Sequence, residues 1–184
     1  MIYPIVAFGD PVLKKKALDI KKEEVDLPKL IEDMFETMYE AHGVGLAAPQ
    51  IGLGYRLFVI DGEPLDEENL KGFKKVFINP VILEEEGEDW GFEEGCLSIP
   101  GIRAEVMRAS KLTIEYYDEN WKKHKEKFDG LGARIIQHEY DHIEGVLFVD
   151  HLSAIKKRLI KAKLSNISKG NVDADYKMKF PVKK

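Results

Sequence analysis

The sequence predicts an α+β fold: a single domain with mostly antiparallel or mixed sheets packed around one central helix, and a further helix near the C-terminal end. Three observations predict it. Apolar residues recur at helical spacing early in the chain and again in its last third, with strand-like runs between them. No regular strand–helix alternation appears, which argues against a parallel doubly wound sheet. The third is RIIQHEYDHIEG, Arg134–Gly145, which contains the pattern H-E-x-x-H. On a helix, His138 and His142 lie one above the other on one face, a pairing that suits a zinc-like ion, with Glu139 beside it as a general base. Such a helix belongs at the centre of a fold.

The elements follow in order. A helix is expected after Asp26, a suitable N-cap, with Pro28 in its first turn and Leu27, Leu30, Ile31, Met34, Phe35 and Met38 on one stripe. Gly43 is a natural stop. RLFVID (56–61), KVFINPVILEEE (75–86) and KLTIEYYD (111–118) read as strands, and in the last Leu112, Ile114 and Tyr116 alternate with polar residues. GEPLDEENLKG (62–72) reads as an exposed polar loop. The histidine helix should start after Asp129 and end near Gly145. A third helix is expected over 153–170, with Ile155, Leu159, Ile160 and Leu164 on its buried side.

The 184 residues suit one domain with a sizeable core and are few for two, so residues 1–184 are read as one catalytic domain. The opening residues show no basic segment followed by a long apolar run, and no stretch is long enough to span a bilayer. The single cysteine excludes an internal disulfide. A cytoplasmic protein is expected, and a monomer, because no long exposed apolar face stands out. The net charge of −5 is uneven: residues 152–184 carry ten Lys/Arg against two Asp. This basic helix and tail, about 153–184, is either a solvated face or an electrostatic handle for an anionic partner such as RNA.

Two histidines leave a catalytic metal site one protein ligand short. The extended pattern H-E-x-x-H-x-x-G-x-x-H finds its glycine at Gly145, but its last position is Phe148, which cannot bind a metal. No glutamate follows Glu144. Asp150, His151, Asp173 and Asp175 remain downstream at no recognisable spacing. Upstream stands Cys96, in WGFEEGCLSIPG, and a thiolate is a strong ligand for Zn²⁺ or Fe²⁺.

HGVGLAAPQIG (42–52), EGCLSIPG (94–101) and QHEYDHIEG (137–145) resemble, in order, the three signature motifs of the peptide deformylases, and the likeness covers roughly residues 1–150. That family removes the N-formyl group from the initiator methionine of newly made polypeptides. The resemblance implies a metal held by Cys96, His138 and His142, with water in the fourth position that attacks the formyl carbon. It implies that Glu139 moves the water proton to the leaving amine, and that the Gln50 side-chain amide and the Leu97 N–H stabilise the oxyanion. Val44 and Gly45 would bind substrate backbone. Leu131, Ile135 and, more weakly, Phe92 are the residues expected to line the methionine pocket. Glu94 is expected to pair with Arg103 or Arg108 behind the ligands. The family typically works with Fe²⁺ in the cell, and the same donors accept Zn²⁺, Ni²⁺ or Co²⁺. In bacterial relatives the C-terminal helix helps the enzyme reach the ribosome. Three other readings compete: a general metallopeptidase with a downstream third ligand, a hydrolase with Cys96 as nucleophile, and a silent metal-binding module.

Overall fold

A computed structural model describes residues 1–181 of the chain, so the last three positions of the basic tail lie outside the described residues. Helix α1 spans Leu27–Glu40. It starts where expected, because the Asp26 carboxylate accepts from the Lys29 N–H and occupies one of the first-turn donors. Its stripe is buried: Met34 and Met38 are fully covered, and Leu27, Leu30, Ile31 and Phe35 nearly so. That stripe packs on Leu46, Leu57, Val59 and Ile78.

Strands β2 (Gly45–Ala47), β3 (Leu57–Asp61), β4 (Lys74–Cys96), β5 (Ile99–Tyr117) and β6 (Lys123–Asp129) form one five-stranded antiparallel sheet in that order. The expected strands are present, and two of them extend far beyond their periodic cores. β4 and β5 form a hairpin whose register shifts at four places, so the ribbon bends repeatedly along its length. β6 reads KHKEKFD and shows no apolar alternation, because its residues lie exposed or half-buried at the sheet edge. The short β2 is equally silent in the sequence.

Helix α2 (Gly130–Ile143) carries the histidines and packs against β2, β3, β5 and β6. Its inward face, including Ala133, Ile135, Ile136 and Ile143, meets Phe58, Phe77, Leu112 and Ile114. Gly145 follows with a φ of 75°, and a Cβ there would lie 2.7 Å from the Lys14 carbonyl oxygen, so the chain needs glycine to leave the helix at this point.

Helix α3 (Ala154–Ser168) begins at a Ser153 cap, close to its expected start. Its buried side differs from expectation. Ile155 and Leu159 are 71% and 75% exposed, whereas Ile167 is buried and Ile160 and Leu164 are half-buried. Only the C-terminal half of this helix packs on the body, so periodicity locates the right stripe and extends it a turn too far. After α3 the chain returns, and β7 (Met178–Lys179) pairs in parallel with β1 (Ile5–Val6). Among the described residues no helix is long and apolar enough to cross a membrane.

Candidate metal centre and its cleft

Three residues from two elements meet at the centre. β4 ends at Cys96, and one face of α2 presents His138 and His142. Donor atoms of these three residues all lie within 4.8 Å of one another, the only such group among the described residues. The Cys96 Sγ stands 3.4 Å from the His142 Nε2. Neighbouring ligands on a tetrahedral ion are about 3.4–3.8 Å apart for bonds of about 2.1–2.3 Å, so the spacing fits one small divalent cation.

The protonation of the trio fits as well. Burial, and then the neighbouring His138, hold the His142 imidazole well below the ordinary histidine range, and its Nδ1 has no partner among the described residues. His138 goes the other way. Burial opposes its charge, but hydrogen bonds to Cys96 and Glu94 push it up to about 10. A bound cation would displace a proton from this imidazole, as metals generally displace ligand protons.

Behind the ligands, Glu94 accepts 2.7 and 2.9 Å bonds from the Arg108 guanidinium, a 2.8 Å bond from Arg134, and lies 2.8 Å from the His138 Nδ1. This contact leaves the His138 Nε2 for the centre and fixes the ring's orientation. Burial raises the cost of the Glu94 charge, but His138 and Arg108 outweigh it and hold the carboxyl well below the usual range. Of the two expected partners, Arg108 is the one used. Arg103 instead donates to the Glu93 carbonyl. Arg134 stands one turn before His138 on α2. It also donates to the Val106 and Trp90 carbonyls and lies 4.5 Å from the Trp90 ring centroid. Its i, i+4 spacing from His138 is the sequence signal that could have found it.

Glu139 is buried beside the ligands, and its Oε2 has no partner among the described residues. Burial is the main cause that pushes its carboxyl up to about 7. β2 presses directly on it: a Cβ at Gly45 would sit 2.6 Å from the Glu139 Oε1. Gln50 lies in the 3-10 turn Ala48–Ile51 that follows β2. Its Oε1 accepts from the Ala47 N–H at 3.0 Å, which turns its amide nitrogen toward Cys96 Sγ and Ser98 Oγ at 3.4 and 3.3 Å.

A cleft of about 1100 Å³ opens on this cluster. Val44, Gly45, Gln50, Phe92, Leu97, Ile135 and Glu139 line it. Leu131 does not. It precedes His138 by two helical turns, about 10.5 Å along the axis. Of the downstream alternatives, Asp150 pairs with Lys14 and His151 with Asp141, while Asp173 and Asp175 line the cleft without joining the Cys96–His138–His142 group. Val172–Tyr176 also line the cleft, from a tail in which the sequence offers no chemical signal.

A His–His–Cys donor set with a buried carboxylate alongside and a buried amide donor turned toward the cysteine sulfur, opening on a cleft, matches the class of three-ligand metal hydrolases. A polypeptide deformylase family model matches residues 2–158. A peptide deformylase of Cytophaga hutchinsonii is 66% identical over 184 residues and is covered completely, as is this chain. One from Christiangramia forsetii is 60% identical, covering 98% of this chain and 97% of that one. The crystal structure of peptide deformylase from Thermus thermophilus superposes with a TM-score of 0.82 at 41% identity, over 93% of this chain and all of that one. The chain belongs to the polypeptide deformylase family, enzymes that remove the formyl group from the amino terminus of newly made peptides.

Glu94→Ala should destabilise the protein by about 3–5 kcal/mol, because it leaves the buried Arg134 guanidinium without a carboxylate and Arg108 with Asp141 alone, and should weaken metal binding about 10–100-fold. Chemical denaturation and metal titration measure these separately.

Proposed function

We propose that Cys96, His138 and His142 hold one divalent metal ion and that Glu139, Gln50 and Leu97 act around it to hydrolyse the formamide of N-formyl-methionyl peptides. When bound, such an ion supplies Lewis acidity, which lowers the pKa of water and polarises a carbonyl oxygen. Glu139 accepts a proton from the attacking water and delivers it to the departing amine, so that formamide and water become formate and a free amino terminus. The Gln50 amide and the Leu97 N–H donate to the oxyanion of the tetrahedral intermediate. Val44 and Gly45 align the substrate backbone, and Ile135 and Phe92 receive the methionine side chain.

One observation carries this reading. Glu139 is buried against the ligand trio with a carboxylate oxygen that no described protein group satisfies, at the inner end of a cleft wide enough for a peptide. A carboxyl pushed up to about 7 is suited to exchanging protons near neutrality. A cysteine hydrolase would need a histidine free to serve as base, yet both nearby imidazoles are grouped with Cys96 at ligand spacing.

Fe²⁺ is the proposed ion in the cell, since the soft thiolate and two imidazoles accept it along with Zn²⁺, Ni²⁺ and Co²⁺. The proposed setting is the cytoplasm, with residues 1–184 acting as one monomeric catalytic unit. The exposed first half of α3 supports a ribosomal partner. Lys156, Lys157, Arg158 and Lys161 stand on the surface with Ile155 and Leu159, a basic face matched to ribosomal RNA.

Protein loaded with Fe²⁺ without oxygen should convert a formyl-Met tripeptide to a product about 28 Da lighter and leave internal peptide bonds intact, as mass spectrometry would show. Cleaved peptide bonds would instead indicate a general metallopeptidase. Glu139→Ala should keep its metal and lose about 10²–10⁴-fold in kcat. Reversing the charge of Lys156, Lys157 and Lys161 should weaken co-sedimentation with ribosomes and flatten its salt dependence, leaving tripeptide turnover unchanged.

A further inference from the structure

The tail that follows α3 comes back to the functional cleft and grips one of its turns. Leu97 and Ser98 are the two residues that reverse the chain between Cys96 and Ile99, which are paired across the β4–β5 hairpin. Both carbonyls of this turn are held from outside. The Ser98 carbonyl accepts from the Phe8 N–H at 2.9 Å, next to β1. The Leu97 carbonyl accepts from the Tyr176 hydroxyl at 2.6 Å. The two clamps are themselves joined, since the Ile5 N–H donates to the Lys177 carbonyl and the Ala7 N–H to the Lys179 carbonyl, each at 2.9 Å. The Tyr176 ring packs in the same apolar cluster as the Leu97 side chain. Burial pushes the Tyr176 hydroxyl well above the ordinary phenol range, so it stays a donor. The Leu97 N–H, by contrast, has no acceptor among the described residues.

A two-residue turn can interconvert between turn types by flipping its central peptide, whose oxygen here is the Leu97 carbonyl. A hydrogen bond to that oxygen selects one orientation and restrains the adjoining Cys96–Leu97 peptide. We propose that Tyr176 is a positioning residue for deformylation: by holding the Leu97 carbonyl it keeps the Leu97 N–H directed at the substrate's formyl oxygen. The proposal rests on the reading of Leu97 as an oxyanion donor. It gives a task in the reaction to a segment beyond residue 158, where the family model ends.

Tyr176→Phe keeps the ring and removes only the hydroxyl. In the metal-loaded full chain it should lower kcat about tenfold on a formyl-Met tripeptide and leave KM within about twofold. Metal content and Tm should be unchanged, and amide exchange over residues 96–99 should quicken. The partner experiment replaces Leu97 with its α-hydroxy acid analogue, which deletes the N–H. In that background Tyr176→Phe should cost nothing further, as expected of two changes acting through one group. Wild-type kcat in Tyr176→Phe, or a full additional loss in the α-hydroxy protein, would overturn the proposal and leave the Leu97 reading standing. A loss of kcat that tracks loss of metal or a lower Tm would make Tyr176 merely structural and overturn it too. An α-hydroxy protein with undiminished kcat would remove the Leu97 reading itself, and the proposal with it.

Discussion

Glu94 brings the end of β4, the middle of β5 and one face of α2 to a single point, and the candidate metal centre is built on that junction. Its carboxylate is 4% exposed and meets Arg108, Arg134 and His138. An isolated carboxylate at such a site would be very costly to bury. Here two guanidinium groups face it, and Asp141 supplies a second negative charge to Arg108 at 2.8 Å. Buried ion pairs of this kind are poor sources of net stability, because desolvation cancels much of the attraction. What they impose is geometry. Other arrangements of the three elements would leave a charge unpaired, and in this one the His138 ring is held by Glu94 at 2.8 Å.

Close packing also sets the chemistry of Glu139. β2 approaches so near that a side chain at position 45 would collide with its carboxylate, and this approach removes water from Glu139. Dehydration pushes the Glu139 carboxyl up to about 7, whereas Glu94, equally buried but bonded to His138 and Arg108, is pushed down. Two glutamates around one histidine of the centre thus differ in state. One keeps its charge beside the ring, and burial holds the other's carboxyl near neutrality.

The tail adds a third support. β7 pairs with β1, and Tyr176 and Phe8 hold the two carbonyls of the turn that follows Cys96. The cleft wall is therefore assembled from the middle of the chain and braced from both of its described ends. α3 divides along its length: its second half packs through Ile167, and its first half leaves Ile155 and Leu159 beside lysines in solvent.

Much of this is legible from local pattern. The Asp26 cap, the α1 stripe and the histidine helix each depend on residues within a few positions of one another, and such short-range preferences survive in almost any tertiary setting. The motif likeness also singles out Cys96, His138 and His142, which the fold brings together. Other features are silent because they depend on strand register and on contacts between distant segments. The length of β4 and β5 comes from bulged pairing, and β6 is an edge strand with no apolar alternation to announce it. Leu131 shares a helix with His138 but is not among the residues lining the cleft, and along α3 burial is confined to the second half. Arg108 rather than Arg103 reaches Glu94, and Tyr176 reaches Leu97 across 79 positions of sequence. Periodicity states which side of an element is apolar, but which distant residue meets it is settled by how the sheet bends and where the chain returns.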